Sequence, residues 1–364
     1  NPVSEEDYKL LFKKLEDRKV SVNQIVFNWN FDEETQENLL SVFSIINNLC
    51  KKVIDYLPET NKKITVLNTL NHQIIGDEKI TTAMTASIKQ LQVFAQENAN
   101  VFFISIDANQ DNHEPQFVSK IINELMYNYS DQTIGYRGLN RWQEFYENIT
   151  YQPETKSLAN GKTYIITGGL GQIGKTLTTY LCDTYNATII LIGRKNIPAE
   201  NIWDNIKSNP NSDKKVLELI DEIIDLRNET RQIHYYKTDV SNHSQFTQII
   251  DKIESVHGKI SGIFHTAGNV DPSTFKPVEK LNDETVLSQF APKVQGVINI
   301  ENVFKNRNPD FIWITSSLAS ILGGLTYGAY AAANAFIDSY VKNKALEFKN
   351  WYCVNLDGIG GNRI

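Results

Sequence analysis

The sequence predicts an α/β chain of two units, each a mostly parallel β-sheet covered by helices. Three observations lead there. Short β-branched and aromatic runs alternate with stretches of helical apolar periodicity, the pattern of strands joined by helical crossovers. The alternation occurs twice, over residues 1–152 and again, more strongly, over 153–364. A length of 364 residues is also long for one core and comfortable for two.

In the first unit, Ile25-Val26-Phe27 reads as a strand, and Glu37 to Tyr56 as a helix with an apolar face of Leu39, Leu40, Phe43, Ile46, Leu49 and Val53. Ile64 to Leu67 is the next strand, followed by a helix around Ala83 to Leu91 and a strand over Val101 to Ile106. Tyr136 to Tyr151 is aromatic-rich and reads as a connecting element that packs, with Trp142, Phe145 and Tyr146 in the core. After polar residues Glu154 to Lys162, six strands are expected: Tyr164–Thr167, Thr188–Ile192, Ile233–Lys237, Ile260–His265, Phe311–Thr315 and Trp351–Asn355. Asn196 to Asn228, with Pro198 and Pro210, reads as an insertion.

Composition narrows the function classes. Hydrophobic residues at 41% and charged residues at 22% suit a globular core. A net charge of −7 gives no basic footprint for nucleic acid. Three cysteines without a CxxC pair read as reduced thiols, with no zinc site and no metal expected. No apolar run approaches the ~18 residues of a membrane span, and NPVSEEDYKL does not read as a signal peptide. The expectation is a soluble, cytoplasmic protein.

The sharpest local motif is the run from Tyr164 to Lys175 (YIITGGLGQIGK), an apolar strand entering a glycine cluster and then a helical pattern. Gly169, Gly171 and Gly174 fit GxGxxG, and Gly168, Gly171 and Gly174 fit GxxGxxG. Glycine is needed because the turn is tight, the backbone must approach a pyrophosphate, and the following helix packs closely with its N-terminus facing the anion. Thr167, Gly168, Gly169, Gly171, Gln172, Ile173 and Gly174 are therefore the expected cradle of a Rossmann-like dinucleotide site. The next strand ends in Ile192-Gly193-Arg194-Lys195 where an NAD site places a carboxylate. A guanidinium pairs with a 2′-phosphate through two hydrogen bonds, so Arg194 points to NADPH.

Ser316-Ser317 closes a strand, and Tyr330 follows thirteen positions after Ser317, opening the helical run YAAANAF. With the glycine motif this resembles the short-chain dehydrogenase/reductase superfamily. Most of that superfamily has Lys four residues after the tyrosine, where this chain has Asn334. The exchange is similar to that in the ketoreductase domains of modular polyketide synthases, where Lys and Asn trade places. His265-Thr266-Ala267-Gly268 is similar to that branch's HAAG, and Ala291 to Gly296 (APKVQG) to its APKVxG. The resemblance is strong over about 153–357. The first half resembles the branch's structural subdomain more weakly, through TAMTASIKQLQVFAQENANVFFISID and GYRGLNRW, particularly in synthases with separate acyltransferases.

The resemblance implies two Rossmann-like subdomains with doubly wound parallel sheets, the first without a cofactor site. It implies NADPH-dependent reduction of a β-ketoacyl thioester tethered through phosphopantetheine to an acyl carrier protein, beside neighbouring synthase domains. Tyr330 would donate the proton, Ser317 would hydrogen-bond the carbonyl oxygen, Lys293 would hold the tyrosine's charge, and Asn334 would carry the relay. Asp239, Val240, Ala267 and Gly268 would complete the cofactor site. The alternatives are a catalytically silent scaffold domain and a nucleotide-sugar epimerase. Two departures stand out: Asn355-Leu356-Asp357 replaces the branch's Asn-Trp, and the lid helix and last strand are expected to be missing. Val270-Asp271-Pro272 and Leu322 lean toward the L alcohol. The first half has no glycine after its Ile64–Leu67 strand until Gly76 and should bind no nucleotide; Trp29, Phe94, Phe102, Phe103 and Trp142 would let it brace the second half.

Overall fold

The computed structural model describes residues 4–28, 36–56, 61–108, 114–126, 133–150, 158–227 and 230–358. The expected boundary near residue 152 and Trp29 lie outside them. The first sheet takes β1 (Gln24–Phe27), β2 (Lys62–Asn68), β3 (Val101–Ala108), β4 (Thr133–Arg137) and β5 (Asn140–Gln143) in that spatial order. The first four strands are parallel, and β5 returns antiparallel beside β4. With them go α1 (Glu5–Asp17), α2 (Gln36–Tyr56), α3 (Thr82–Glu97) and α4 (Pro115–Met126). Helix α1 was not among the expected elements; it is mostly charged and buries only Tyr8 and Phe12.

All six strands expected in the second half are present. They order as β11 (Trp351–Leu356), β10 (Phe311–Ser317), β9 (Gly262–His265), β6 (Thr163–Thr167), β7 (Thr188–Gly193) and β8 (Ile233–Lys237). Every pair is parallel. Strand β6 is buried at each position, the mark of a parallel strand covered on both faces. The strand order reverses between β6 and β9, and ligands of open α/β sheets bind at the carboxyl end of such a reversal. The first sheet has no reversal. The helices are α5 (Gln172–Tyr185), α6 (Trp203–Ser208), α7 (Lys214–Leu226), α8 (His243–His257), α9 (Asp283–Phe290), α10 (Gly296–Phe304), α11 (Ala319–Leu322) and α12 (Gly328–Glu347). The insertion Asn196–Asn228 thus supplies α6 and α7.

Helix α12 joins the halves. Ala329, Ala332, Ala333 and Ile337 lie in the second half's core together with Leu39 and Phe43 of α2 and Ala83 and Ala86 of α3. Ala331 instead joins the first half's core, beside Met84, Ile88 and Phe94. From Gly328 to Val341 the helix is buried nearly all round and needs no polar face there, and its alanines let α3 approach closely. At the same seam, the Asn343 side chain copies a strand neighbour: its Oδ1 accepts from Ile80 N at 2.7 Å and its Nδ2 donates to Ile80 O at 2.8 Å.

Two expectations for the first half are corrected. Trp142, Phe145 and Tyr146 are not core residues: they are 44%, 76% and 66% exposed. The reason is position, since β5 pairs only with β4 and residues 141–150 run exposed throughout. Of the aromatics expected to brace the second half, Phe94 and Phe103 are buried in the cluster that takes in Val278, Ala319 and Ala331, whereas Phe102 is 58% exposed. At the end of β2 the turn amides of Leu70, Asn71 and His72 donate to the fully buried carboxylate of Asp107 at 2.8–3.0 Å. Those of Ile74, Ile75 and Gly76 donate to Glu78, and Arg137 ties both carboxylates together. An internal ion triad thus occupies the donors that an anion would need there.

Asn343→Leu removes both partners of Ile80 and leaves a buried N–H and C=O unpaired, at roughly 1–3 kcal/mol each. The expected result is a clear drop in Tm by calorimetry with the far-UV circular dichroism unchanged; an unaltered Tm would show that the pair does not hold the seam.

Candidate active site

The glycine turn is built by close contacts. Gly168 has φ +69°, and a Cβ there would lie 2.8 Å from Ala267 backbone atoms. A Cβ on Gly174 would lie 2.7 Å from the Gly169 backbone, so α5 can pack onto the turn only as glycine on glycine. Gly171 is the N-cap of α5 and offers no side-chain cap, leaving the helix start to an incoming acceptor.

From this turn a cleft of about 640 Å³ runs past the ends of β7 and β8 to Tyr330. All of the expected cofactor residues line it except Gly169, which lies behind Gly168 against Leu191. Arg194 is exposed at one end and forms no ion pair among the described residues. Asp239 lines the cleft while its Oδ1 accepts from Ser241 N and Oγ, so it also shapes the turn after β8. The sequence reading missed Tyr235, Thr238, Asp357 and Gly358 on the wall. Tyr235 gave no local signal because it stands in a partly buried strand beside a second tyrosine, Tyr236, with nothing in residue type to set it apart.

The four expected catalytic residues come from three elements around the end of β10. Ser317 is its last residue and accepts from Ala319 N at 3.2 Å. Tyr330 sits in the first turn of α12, half-buried, with the Phe275 and Tyr327 rings each at 5.6 Å. Lys293 lies on a π-helical turn, Ala291–Gln295, which opens where Pro292 lacks an N–H. Its buried Nζ donates to Thr315 O at 3.0 Å and stands 6.0 Å from the Tyr330 ring centre. Burial lowers its pKa to about 8, against a smaller upward pull from Cys353 and Asp338. Asn334, fully buried one turn after Tyr330, donates to Tyr330 O at 2.8 Å, and its Oδ1 is buried without a partner among the described residues. Of the four, only Tyr330 reaches the cleft wall.

Behind them, Asn355 Nδ2 reaches Asp338 Oδ2 at 2.7 Å, Ser320 Oγ at 2.8 Å and Ser317 O at 3.3 Å. Asp338 was missed in the sequence, though it stands four and eight residues after Asn334 and Tyr330, on their helix face. His265, at the start of the HTAG run, is fully buried, and its Nδ1 lies 2.7 Å from Thr167 Oγ1. Burial lowers its pKa to about 3, so it stays neutral and ties β9 to β6. Among the described residues no cluster of His, Cys, Asp and Glu is gathered for a metal.

Residues 162–359 match the family model described as the KR domain. The chain belongs to the KR domain family. KR domains are reductases of a keto group that use a nicotinamide cofactor. Polyketide synthase PksN of Bacillus subtilis is 28% identical over 294 residues, which are 79% of this chain and 5% of that protein. A 6-methylsalicylic acid synthase of Penicillium terrestre is 26% identical over 55% of this chain and 11% of its own length. The chain therefore spans only a small part of the synthases it resembles. In fold it matches the first ketoreductase of the tylosin polyketide synthase, with TM-score 0.76 and 18% identity over 98% of this chain and 72% of that one. A ketoreductase domain from the bacillaene assembly line gives 0.72 and 18%, over 94% and 83%.

Lys293 should titrate near about 8, far below a solvent lysine, because its charge is buried. NMR of 15N-labelled lysine side chains, with Lys293→Met to assign the signal, checks this; a midpoint above about 10, the range of free lysine, would contradict it.

Proposed function

We propose that this KR domain reduces β-ketoacyl thioesters, carried on the phosphopantetheine arm of an acyl carrier protein, to β-hydroxyacyl thioesters with NADPH. It would do so as a short-chain dehydrogenase/reductase in the cytoplasm, beside neighbouring domains of a synthase served by separate acyltransferases. The observation that carries this is the continuity of one cleft from the unpaired Arg194, over an uncapped helix start, to Tyr330. Residues 153–364 would be the catalytic subdomain and 1–152 a structural one that binds no nucleotide. Its turn amides at 70–72 and 74–76 are already taken by Asp107 and Glu78.

The site suits the cofactor: glycine backbone for a pyrophosphate, a free guanidinium for a 2′-phosphate, and room for both. When bound, the nicotinamide supplies hydride to the ketone carbon. Negative charge then develops on the carbonyl oxygen. The Ser317 hydroxyl donates a hydrogen bond to that oxygen, and the Tyr330 hydroxyl gives up its proton to it. The Lys293 ammonium, 6.0 Å from the ring, stabilises the phenolate left behind. Asn334 holds the helix turn under Tyr330, and its unpaired Oδ1 is free to accept from a proton-carrying partner.

Tyr330→Phe is expected to abolish turnover of a β-ketoacyl thioester and leave NADPH binding, read by fluorescence, nearly unchanged. Retention of more than roughly a hundredth of the wild-type rate, less than the ~10²-fold loss that removing a general acid brings, would remove Tyr330 from its role.

Arg194→Ala should weaken NADPH by roughly 1.5–3 kcal/mol, the worth of a charge-assisted hydrogen bond, and NADH hardly at all. Equal losses for the two cofactors would mean that Arg194 does not read the phosphate.

A further inference from the structure

The far end of the segment that leads from Ser317 to Tyr330, after α11, is held largely from the other half of the chain. After the four-residue helix α11 come three residues in the left-handed region: Gly323 (φ 75°), Gly324 (φ 132°) and Thr326 (φ 67°). A threonine with positive φ costs energy and persists only where its surroundings enforce it. Those surroundings come from the last turn of α3, in the other half of the chain. Gln96 uses both ends of its amide: Nε2 donates to Leu322 O at 2.7 Å, and Oε1 accepts from Gly324 N at 2.8 Å. Glu97 accepts from Thr326 N at 2.8 Å through Oε1 and from Val278 N at 2.8 Å through Oε2. Val278 opens the short turn that follows Phe275, whose ring lies edge-on to Tyr330. One carboxylate therefore ties both protein walls beside the tyrosine.

The placement of Glu97 is costly on general grounds. It is the last residue of α3, where the helix dipole disfavours an anion. Burial pushes its carboxyl above the usual range, while the two amides pull it back. Among the described residues, what offsets this half-buried anion at a helix C-terminus is the pair of amides it grips. The loop it grips is also apolar toward solvent, with Leu322 and Leu325 each 64% exposed a few residues before Tyr330.

We propose that Gln96 and Glu97 are positioning residues for the reduction: they set the shape of the loop 318–327 and of the facing turn at Val278, and so decide how the acyl chain meets Tyr330. The proposal rests on the reductase reading above. It makes the first half a maker of the substrate wall as well as a brace for the core.

The test compares wild type with Glu97→Gln and Gln96→Ala. Glutamine keeps the shape of Glu97 but turns one acceptor into a donor facing an N–H. Gln96 is exposed, so alanine there does not threaten folding. Three quantities are read: amide hydrogen exchange at Thr326, Val278 and Gly324; kcat, KM and product enantiomer ratio with a β-ketoacyl N-acetylcysteamine thioester; and NADPH affinity by fluorescence. Each lost hydrogen bond should raise loop exchange by about five- to tenfold. KM should rise and the enantiomer ratio shift, with NADPH affinity within about twofold, since neither residue lines the cofactor cleft. A purely structural role would instead lower NADPH affinity and kcat together and leave the enantiomer ratio alone, and that result would overturn the proposal. So would unchanged loop exchange in both variants, or faster exchange with unchanged KM and enantiomer ratio. Wild type that binds NADPH yet reduces no thioester would instead remove the reductase reading, and the positioning role with it.

Discussion

The packing of α3 against α12 is the contact on which the rest of this structure depends. Helix α12 carries Tyr330 and Asn334 in its first two turns, and from Gly328 to Val341 almost none of its surface is left to water. One side lies in the core under the second sheet, and Ala331 faces the first half's core. A helix so placed draws stability from both halves, because removing α3 would expose apolar surface at about 25 cal/mol per Å². The alanine-rich sequence of α12 is what permits the approach, and Asn343 fixes its register against Ile80. Tyr330 is thus held by residues from both halves of the chain.

The two halves treat one structural opportunity in opposite ways. Each has a parallel β-strand ending in a turn whose amides could meet an anion. In the second half glycines keep that turn bare, and the helix start faces a cleft. In the first half the corresponding amides are spent on Asp107 and Glu78, and Arg137 balances the charge. Buried ion groups of this kind are costly to break because each partner left behind is an uncompensated charge. In the first half these amides serve an internal brace.

Most of the second half was legible in the sequence. Its six strands, the glycine turn and the ordered Lys293, Ser317, Tyr330 and Asn334 are local patterns, since a turn that admits only glycine, or a run of apolar β-formers, imposes its requirement on adjacent positions. The residues of Tyr136–Tyr151 misled for the same reason in reverse. Their aromatic content signals burial on average, but an edge strand followed by an extended run gives them nothing to bury against. Tyr235 and the Gln96–Glu97 pair left no local trace, because a half-buried strand position or a polar residue ending a helix looks ordinary until its partner is known; Asp338 was marked only by its spacing from Asn334 and Tyr330.

What the sequence determined by itself is what rests on residue type and short spacing: where a glycine turn forms, which short apolar runs are strands, and which side chains are candidates for the site. What only the tertiary structure decided is which distant groups meet. The Asn343 amide on Ile80, the Lys293 ammonium on Thr315 O, and the Glu97 carboxylate across Val278 and Thr326 join positions from 22 to 263 residues apart. Such pairings are chosen by the fold as a whole, since the chain between the partners carries no record of where its two ends will come to rest.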